Sequence, residues 1–304
     1  MRTFFQIILI LVMVIPCGVF GNNHVFTVTA MSGTVMIQTA NSSNWQKASY
    51  GAKLAKGDAI RISEAAYVTL VHANLKTLAL KKPGNYAVAD LEKQIPNASS
   101  NITTEYVNYV MNQSTQKRSG NNMVNTGSVE RAASPTPILP RKAENIIDEE
   151  ITFSWVALPG AVEYQFEIVD DENNVLYSKT LKETQTLVNI KTLSLKTNFC
   201  YYWHISDKRH SSMKSDDVCF KVAGDTQKQA ILKNAENISQ ELGESEAFSY
   251  IVLAGMYQKN KVVNRAQAAY LKAIELAPEV DEYKVLYANF MTDIGVPEKA
   301  ITNK

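Results

Sequence analysis

Side chains that bind metals or attack substrates are scarce in this sequence, since 304 residues include three cysteines and four histidines. No Gly-x-Ser-x-Gly elbow is present, and Ser239, Ser245 and Ser249 have no histidine close to them in sequence. The acidic clusters at 148–150 and 170–172 are consecutive, so their carboxylates point in different directions and favour solvated turns over a calcium site or an acid–base pair. We therefore expect neither an enzyme nor a bound cofactor.

An excess of charge is also lacking, because 31 Lys and Arg side chains face 30 Asp and Glu side chains. A neutral chain has no electrostatic attraction for a phosphate backbone. The balance excludes the common classes of nucleic-acid-binding protein.

Long hydrophobic runs are missing except at the N-terminus, where Arg2 precedes an apolar run from Phe4 to Val14. A basic start, an apolar stretch and small residues before Gly21 are typical of a cleaved secretory signal, which we assign to residues 1–21. Lipidation at Cys17 is the alternative, disfavoured by the adjacent proline. We expect an exported protein without a transmembrane span, periplasmic or associated with the cell envelope.

Once that segment is removed, Cys200 and Cys219 are the remaining cysteines. In an oxidising compartment such a pair most simply forms a disulfide. The alternative is a zinc site that adds His204 and His210, but zinc ligands usually pair two to four residues apart on tight turns. Strand geometry would spread these four residues, so the disulfide is favoured.

Residues 22–95 have the pattern of a small all-β domain, with short apolar or alternating runs between Gly, Asn and Pro signals. At its centre, Gly51, Gly57 and Asp58 predict a turn, and Leu54 and Ile60 predict buried positions on either side of it. These residues are interpreted as determinants of the fold.

The order of Gly51, Leu54, Gly57 and Asp58, extended over residues 28–91, resembles the FecR-like domain of bacterial extracytoplasmic proteins. The resemblance implies a β-fold used in sensing and assembly, with no catalytic residues. Regulators of that family carry a cytoplasmic segment and a membrane span before the domain. This chain has a signal peptide there, which disfavours a transmembrane regulator.

Residues 96–145 are predicted to be a helix plus a linker. Apolar residues between 103 and 113 are spaced for one stripe of a short helix, residues 114–126 are polar, and the proline-rich segment 134–140 predicts an extended connector.

Residues 146–224 predict a β-sandwich, because 164–168 alternates strictly between apolar and polar side chains. In the later strands, alternation places Cys200 and Cys219 on the face opposite Trp203 and Phe220. The motifs around Trp155, 160–164 and 202–205 resemble a fibronectin type III-like sandwich.

Residues 225–304 change to a helical period. Within 247–278 the sequence resembles a tetratricopeptide repeat, in which small residues let paired helices approach and large ones fill the space between them. The matching positions are Tyr250, Leu253, Ala254, Tyr257, Ala266, Tyr270, Ala273 and Pro278. A second helix pair is predicted from Asp281, with Ala300 in its frame.

These parts together predict a multidomain, non-catalytic bacterial envelope protein that acts as a scaffold or tether. Its partners would be other envelope proteins, which we expect to dock around Tyr250, Tyr257 and Tyr270 or at the open end of the helical array. The alternative is a sensor, or a binder of glycan or peptidoglycan, that acts through the FecR-like domain.

Overall fold

The computed structural model describes residues 24–74, 76–95, 101–115, 135–141, 144–243 and 246–296. The predicted signal peptide over 1–21, most of the polar stretch 114–126 and the predicted position of Ala300 lie outside these ranges.

The first unit contains eight short strands in two antiparallel sheets, ordered β4-β1-β6-β7 and β3-β2-β5-β8. The strands are β1 (His24–Ser32), β2 (Val35–Gln38), β3 (Gln46–Lys47), β4 (Lys53–Ala55), β5 (Ala59–Ile62), β6 (Tyr67–His72), β7 (Thr77–Leu80) and β8 (Gly84–Ala87). A short helix, α1 (Val88–Glu92), follows the last strand. Phe26, Leu54 and Ile60 are fully buried in the core of this unit, as apolar side chains on the inner faces of a twisted sheet pair should be.

The turn between β4 and β5 is organised by a buried carboxylate. Asp58 accepts the backbone N–H of Ala55 at 2.8 Å and that of Ala40 at 2.9 Å. A Cβ on Gly57 would lie 2.8 Å from the Cβ of Ala40, so the loop approaches too closely for a larger residue. Both residues therefore act on the backbone of their own domain.

The second unit is the predicted β-sandwich, made of a three-stranded sheet, β14-β11-β9, and a five-stranded sheet, β10-β16-β15-β12-β13. Its strands are β9 (Thr136–Leu139), β10 (Glu144–Ile146), β11 (Glu150–Val156), β12 (Tyr164–Val169), β13 (Val175–Leu181), β14 (Gln185–Asn189), β15 (Cys200–Asp207) and β16 (Val218–Val222). The alternation in β12 is confirmed, because Tyr164, Phe166 and Ile168 are buried.

The boundary predicted at residue 146 is wrong. Segment 134–140, predicted to be a connector, supplies β9, and Pro137 pairs with Trp155 of β11. Proline is tolerated there because β9 is an edge strand, where one side of the backbone needs no hydrogen bond. β10 also joins the sandwich, running parallel to β16.

The disulfide joins Cys200 of β15 to Cys219 of β16 across a Cα–Cα distance of 5.6 Å. In the strand register Cys200 lies opposite Lys221 and Cys219 lies opposite Tyr202, so the two cysteines are diagonal neighbours. Because they bond to each other, neither is available to the alternative zinc site.

Five helices of the helical region lie in the described part of the chain, and four of them come from its C-terminal part. These are α3 (Asp225–Leu242), α4 (Ala247–Lys259), α5 (Val263–Leu276) and α6 (Asp281–Asp293). The fifth, α2 (Asn101–Thr115), packs against α3, α4 and α6. The helix predicted within residues 96–145, ahead of the linker, is therefore part of the helical core.

Candidate functional site

The residues predicted to contact partners lie mainly inside the helical region. Ala254, Ala266 and Ala273 have no exposed surface, and Tyr270 is 1% exposed. The Tyr270 hydroxyl donates to Gln258 Oε1 at 2.9 Å, and burial raises the pKa of this phenol. Tyr257 and Leu253 are also buried, Tyr250 is half-buried, and Pro278 is exposed just after α5.

Tyr257 and Tyr270 therefore offer little surface to a partner, whereas docking around the half-buried Tyr250 stays a prediction. The large buried side chains fill the space between helices, and the small ones let the helix axes approach. Whether the helices are tetratricopeptide-type hairpins stays a prediction.

Helix α2 covers the side of α4 that would otherwise be open. A Cβ on Gly255 would lie 2.5 Å from Val110 Cγ2, so only glycine allows α2 to approach this closely. Lys259 forms an ion pair with Glu105 and lies 5.6 Å from the ring centre of Tyr106. The apolar stripe of α2 showed that one face would be buried, but it carried no signal for the element that buries it.

The helical region meets the first β-unit through apolar side chains and tyrosine hydrogen bonds. Tyr283 of α6 is fully buried and donates to the backbone carbonyl of Thr29, at 3.1 Å. Ala30 and Val71 of the β-unit belong to the same buried cluster as the helices. At the edge, the Tyr67 hydroxyl donates to Glu279 Oε1 at 2.7 Å.

The helical region meets the sandwich through buried apolar side chains, among them Ile147 and Ala223, and also through polar and charged groups. Asn145 in β10 donates from its backbone to the carbonyl of Lys261 at 2.8 Å and from its side chain to that of Asn260 at 2.9 Å. The guanidinium Nε of Arg265 lies 3.1 and 3.0 Å from the two carboxylate oxygens of Asp148. This ion pair and its hydrogen bond raise the pKa of Arg265.

Glu144 is the most unusual group at this second junction. It has no exposed surface, and its Oε1 accepts the N–H of Asn264, in the first turn of α5, at 2.6 Å. A carboxylate from β10 thus satisfies a backbone donor that the helix itself leaves unpaired. Burial is the main cause that raises the pKa of Glu144 to about 8, against the opposing effect of backbone N–H donors.

Glu144 was not singled out by the sequence, and no local pattern could have revealed it. Its importance depends on a contact with a residue 120 positions later in the chain.

A cleft of about 350 Å³ lies between the first β-unit and α2. Its walls are β1, the turn at Gly51, the end of β6 and one face of α2. Its ionisable lining residues are His24, Lys53 and His72, and none of the described residues that line it is Asp or Glu. The Gly51–Ile60 stretch contributes Gly51 and Lys53 to this concave surface.

A second polar cluster lies on the outer face of the sandwich. The ring of His204 has Nε2 at 3.1 Å from Glu167 Oε2 and Nδ1 at 2.9 Å from Asp217 Oδ1. No group of three or more His, Cys, Asp or Glu within the described part of the chain has a geometry that could hold a metal ion. Asp217 also pairs with Lys214, with Nζ 3.1 Å from its Oδ1, so the cluster places the loop between β15 and β16 against the sheet.

Among the described helices, none combines the length and apolar character needed to cross a membrane.

Comparisons with known proteins find similarity to solved structures alone, and at low TM-scores. No family model and no curated protein matches the chain. Similar solved structures include a fibronectin type III domain of human collagen α-1(XX), with 12% identity and a TM-score of 0.21 over 32% of this chain and 94% of that one. Others are the chicken CNTN1 FN1–FN3 domains (10%, TM-score 0.23, 64% and 55%) and the BSP domain of a biofilm-associated protein (10%, TM-score 0.22, 67% and 28%).

Proposed function

We propose that this chain is a non-catalytic, exported bacterial envelope protein that acts as a protein-interaction scaffold, with a FecR-like first unit and a tetratricopeptide-type helical region. The observation that carries the proposal is that the helical region contacts both β-units through buried side chains. Tyr283 fixes one unit, and Glu144 and Arg265 fix the other.

A scaffold needs surfaces held in fixed relative positions. Inter-domain contacts that are small and solvated allow domains to move, whereas here the junctions include fully buried groups. The disulfide between Cys200 and Cys219 supports export, because such bonds persist in oxidising compartments.

Partner contact is assigned to the outer side of the helical region, in place of the buried tyrosines. Leu271 of α5 is 44% exposed and Val285 of α6 is 57% exposed. The partner is another envelope protein that presents an apolar surface to these residues. Exposed apolar side chains are common when single, so their role has to be tested directly.

Site-specific photo-cross-linking in the cells that make the protein provides the test. A photoreactive phenylalanine analogue would be introduced singly at Leu271 and at Val285 of the full chain, with Leu187 on the sandwich as the matched control. Leu187 is as exposed as Val285, at 57%. We expect discrete adducts with one or a few envelope proteins from the two helical positions and none from Leu187.

Adducts from Leu187 alone would contradict the helical assignment. If neither helical position forms an adduct and Leu187 forms none, the scaffold proposal fails.

A second candidate function is glycan binding through the first β-unit, and the cleft beside Gly51 is the observation that favours it.

A further inference from the structure

The cleft between the first β-unit and α2 has the size and lining of a small-molecule site. Its volume of about 350 Å³ falls at the lower end of the range typical of ligand pockets. It is formed jointly by two parts of the chain, because strands β1 and β6 provide one wall and α2 provides the other.

The charge of the lining is one-sided, although the chain as a whole is balanced. Lys53, His24 and His72 line the cleft, with no acidic residue among the described lining residues. Lys53 forms no ion pair with a described residue. A second cleft lies between β6 and α6. Its lining contains Glu246 and Glu279 as well as Lys81, so the charge of that lining is mixed.

The donor geometry at His72 is set by the backbone. Its Nδ1 accepts the N–H of Asn74 at 3.1 Å, so the neutral ring carries its proton on Nε2 and can donate from there. The His72 ring is itself held by an edge contact with Phe26, at 5.1 Å between ring centres. The donor is therefore oriented before any ligand binds.

The α2 wall combines an apolar strip with an amide. Val107 and Met111 lie one turn apart on the helix, and Asn108 is exposed beside them. A sugar ring has the matching chemistry, since it presents C–H groups on its faces and hydroxyl groups around its edge. Asn108 can both donate and accept hydrogen bonds to hydroxyl groups.

We propose that this cleft binds an acidic sugar, with the carboxylate on Lys53 and His72, the ring against Val107 and Met111, and hydroxyl groups on Asn108. The proposal rests on the glycan-binding alternative and is independent of the scaffold proposal. Charge-assisted hydrogen bonds are the stronger ones, so the carboxylate distinguishes the ligand from neutral sugars.

Ligand-observed NMR on the full chain tests the proposal with D-glucuronate, D-glucose and acetate as probes. For a ligand of this size we expect a Kd for glucuronate on the order of 1 mM. Glucose and acetate should each bind at least about tenfold more weakly, because each has only part of the recognised chemistry. A hyaluronan hexasaccharide tests whether the recognised sugar belongs to a polymer or is the free acid. Tighter binding than glucuronate indicates a polymer, and weaker binding indicates the free acid.

Three variants locate the binding. Lys53→Gln should weaken glucuronate binding about tenfold and leave glucose binding unchanged. Asn108→Trp, at an exposed helical position, should block the cleft and abolish binding. Lys47→Gln is the matched control, since Lys47 is also an exposed strand lysine but lies in the other sheet, and it should have no effect.

Equal affinity for glucose and glucuronate, or for acetate and glucuronate, would overturn the proposal. So would a Lys53→Gln variant that binds glucuronate like the parent, provided that its circular dichroism spectrum is unchanged. Neither result would alter the cross-linking expected from Leu271 and Val285, so the two proposals can fail separately.

Discussion

The two junctions of the helical region both contain buried apolar side chains, but their polar groups differ. Toward the first β-unit, Tyr283 is buried among apolar side chains and bonds to a neutral carbonyl. Toward the sandwich, Glu144 is buried and ionisable, and Arg265 pairs with Asp148. The comparison shows that one junction should resist changes in pH and salt, whereas the other should respond to both.

Truncating Tyr283 should have the largest effect, and it addresses the apolar junction. Tyr283→Ala removes a fully buried ring, which we expect to lower the free energy of unfolding by about 3–5 kcal/mol. Tyr283→Phe keeps the ring and loses the bond to Thr29, so it should cost only about 1 kcal/mol. Urea denaturation of both variants measures the difference. Equal losses would contradict a junction dominated by apolar packing.

Replacing Glu144 should make the polar junction insensitive to pH. Its pKa of about 8 in the folded state lies above its value in the unfolded chain, so folding favours the protonated form. The stability from this group is complete below about pH 4.5 and is lost as the pH rises through 8. Between pH 4.5 and pH 7 we expect the parent to lose about 3–4 kcal/mol through this group.

Glu144→Gln cannot ionise but keeps an oxygen acceptor for the N–H of Asn264. Its stability should therefore stay level over that pH interval, apart from what other groups contribute. Urea denaturation at pH 5, 7 and 9 compares it with the parent. Glu149→Gln is the control, because Glu149 is exposed and its pKa is lowered by the neighbouring Lys191. A parent and a Glu144→Gln variant with the same pH dependence would refute the assignment.

A larger side chain at Gly255 should push α2 away from α4. This substitution tests how tightly the two helices pack. The Cβ would lie 2.5 Å from Val110 Cγ2, and overpacking of this kind costs about 1–3 kcal/mol. Gly255→Val should lose this amount in urea denaturation. Ala268→Val is the control. It also places a β-branched residue in a helix, but on the exposed face of α5, so it should lose less than about 1 kcal/mol.

The ion pair between Arg265 and Asp148 should have the smallest effect. Both side chains are about one-third exposed, so solvent weakens their attraction. A double-mutant cycle with Arg265→Met and Asp148→Asn should give a coupling energy of about 1 kcal/mol that decreases in 1 M NaCl. A coupling that does not change with salt would contradict the proposed contrast between the junctions.

The sequence predicted elements whose signals are local. The alternation of Tyr164, Phe166 and Ile168 marked a strand with one buried face, and this strand is confirmed. The helical period from 226 onward likewise predicted the C-terminal helices. Local periodicity is sufficient in these cases because each element repeats its own burial pattern.

Features that depend on distant contacts were not predictable. Pro137 and its neighbouring prolines favoured a connector, whereas their segment forms an edge strand, because only the sheet determines which backbone groups need partners. For α2 the apolar stripe was evident in the sequence, but the helices against which it packs were not. The spacing of Tyr257 and Tyr270 matched a helical repeat. Spacing alone could not show whether these side chains lie on a binding face or between the helices.

The bond between Tyr283 and Thr29 joins residues that lie 254 positions apart. During synthesis, the first β-unit and α2 are therefore complete long before α6 exists to cover them. Over that interval Ala30, Val71 and the apolar face of α2 are exposed, which is the condition under which nascent chains aggregate. Contacts of such long range also slow folding, so we expect this chain to need a chaperone that covers these surfaces until α6 has been made.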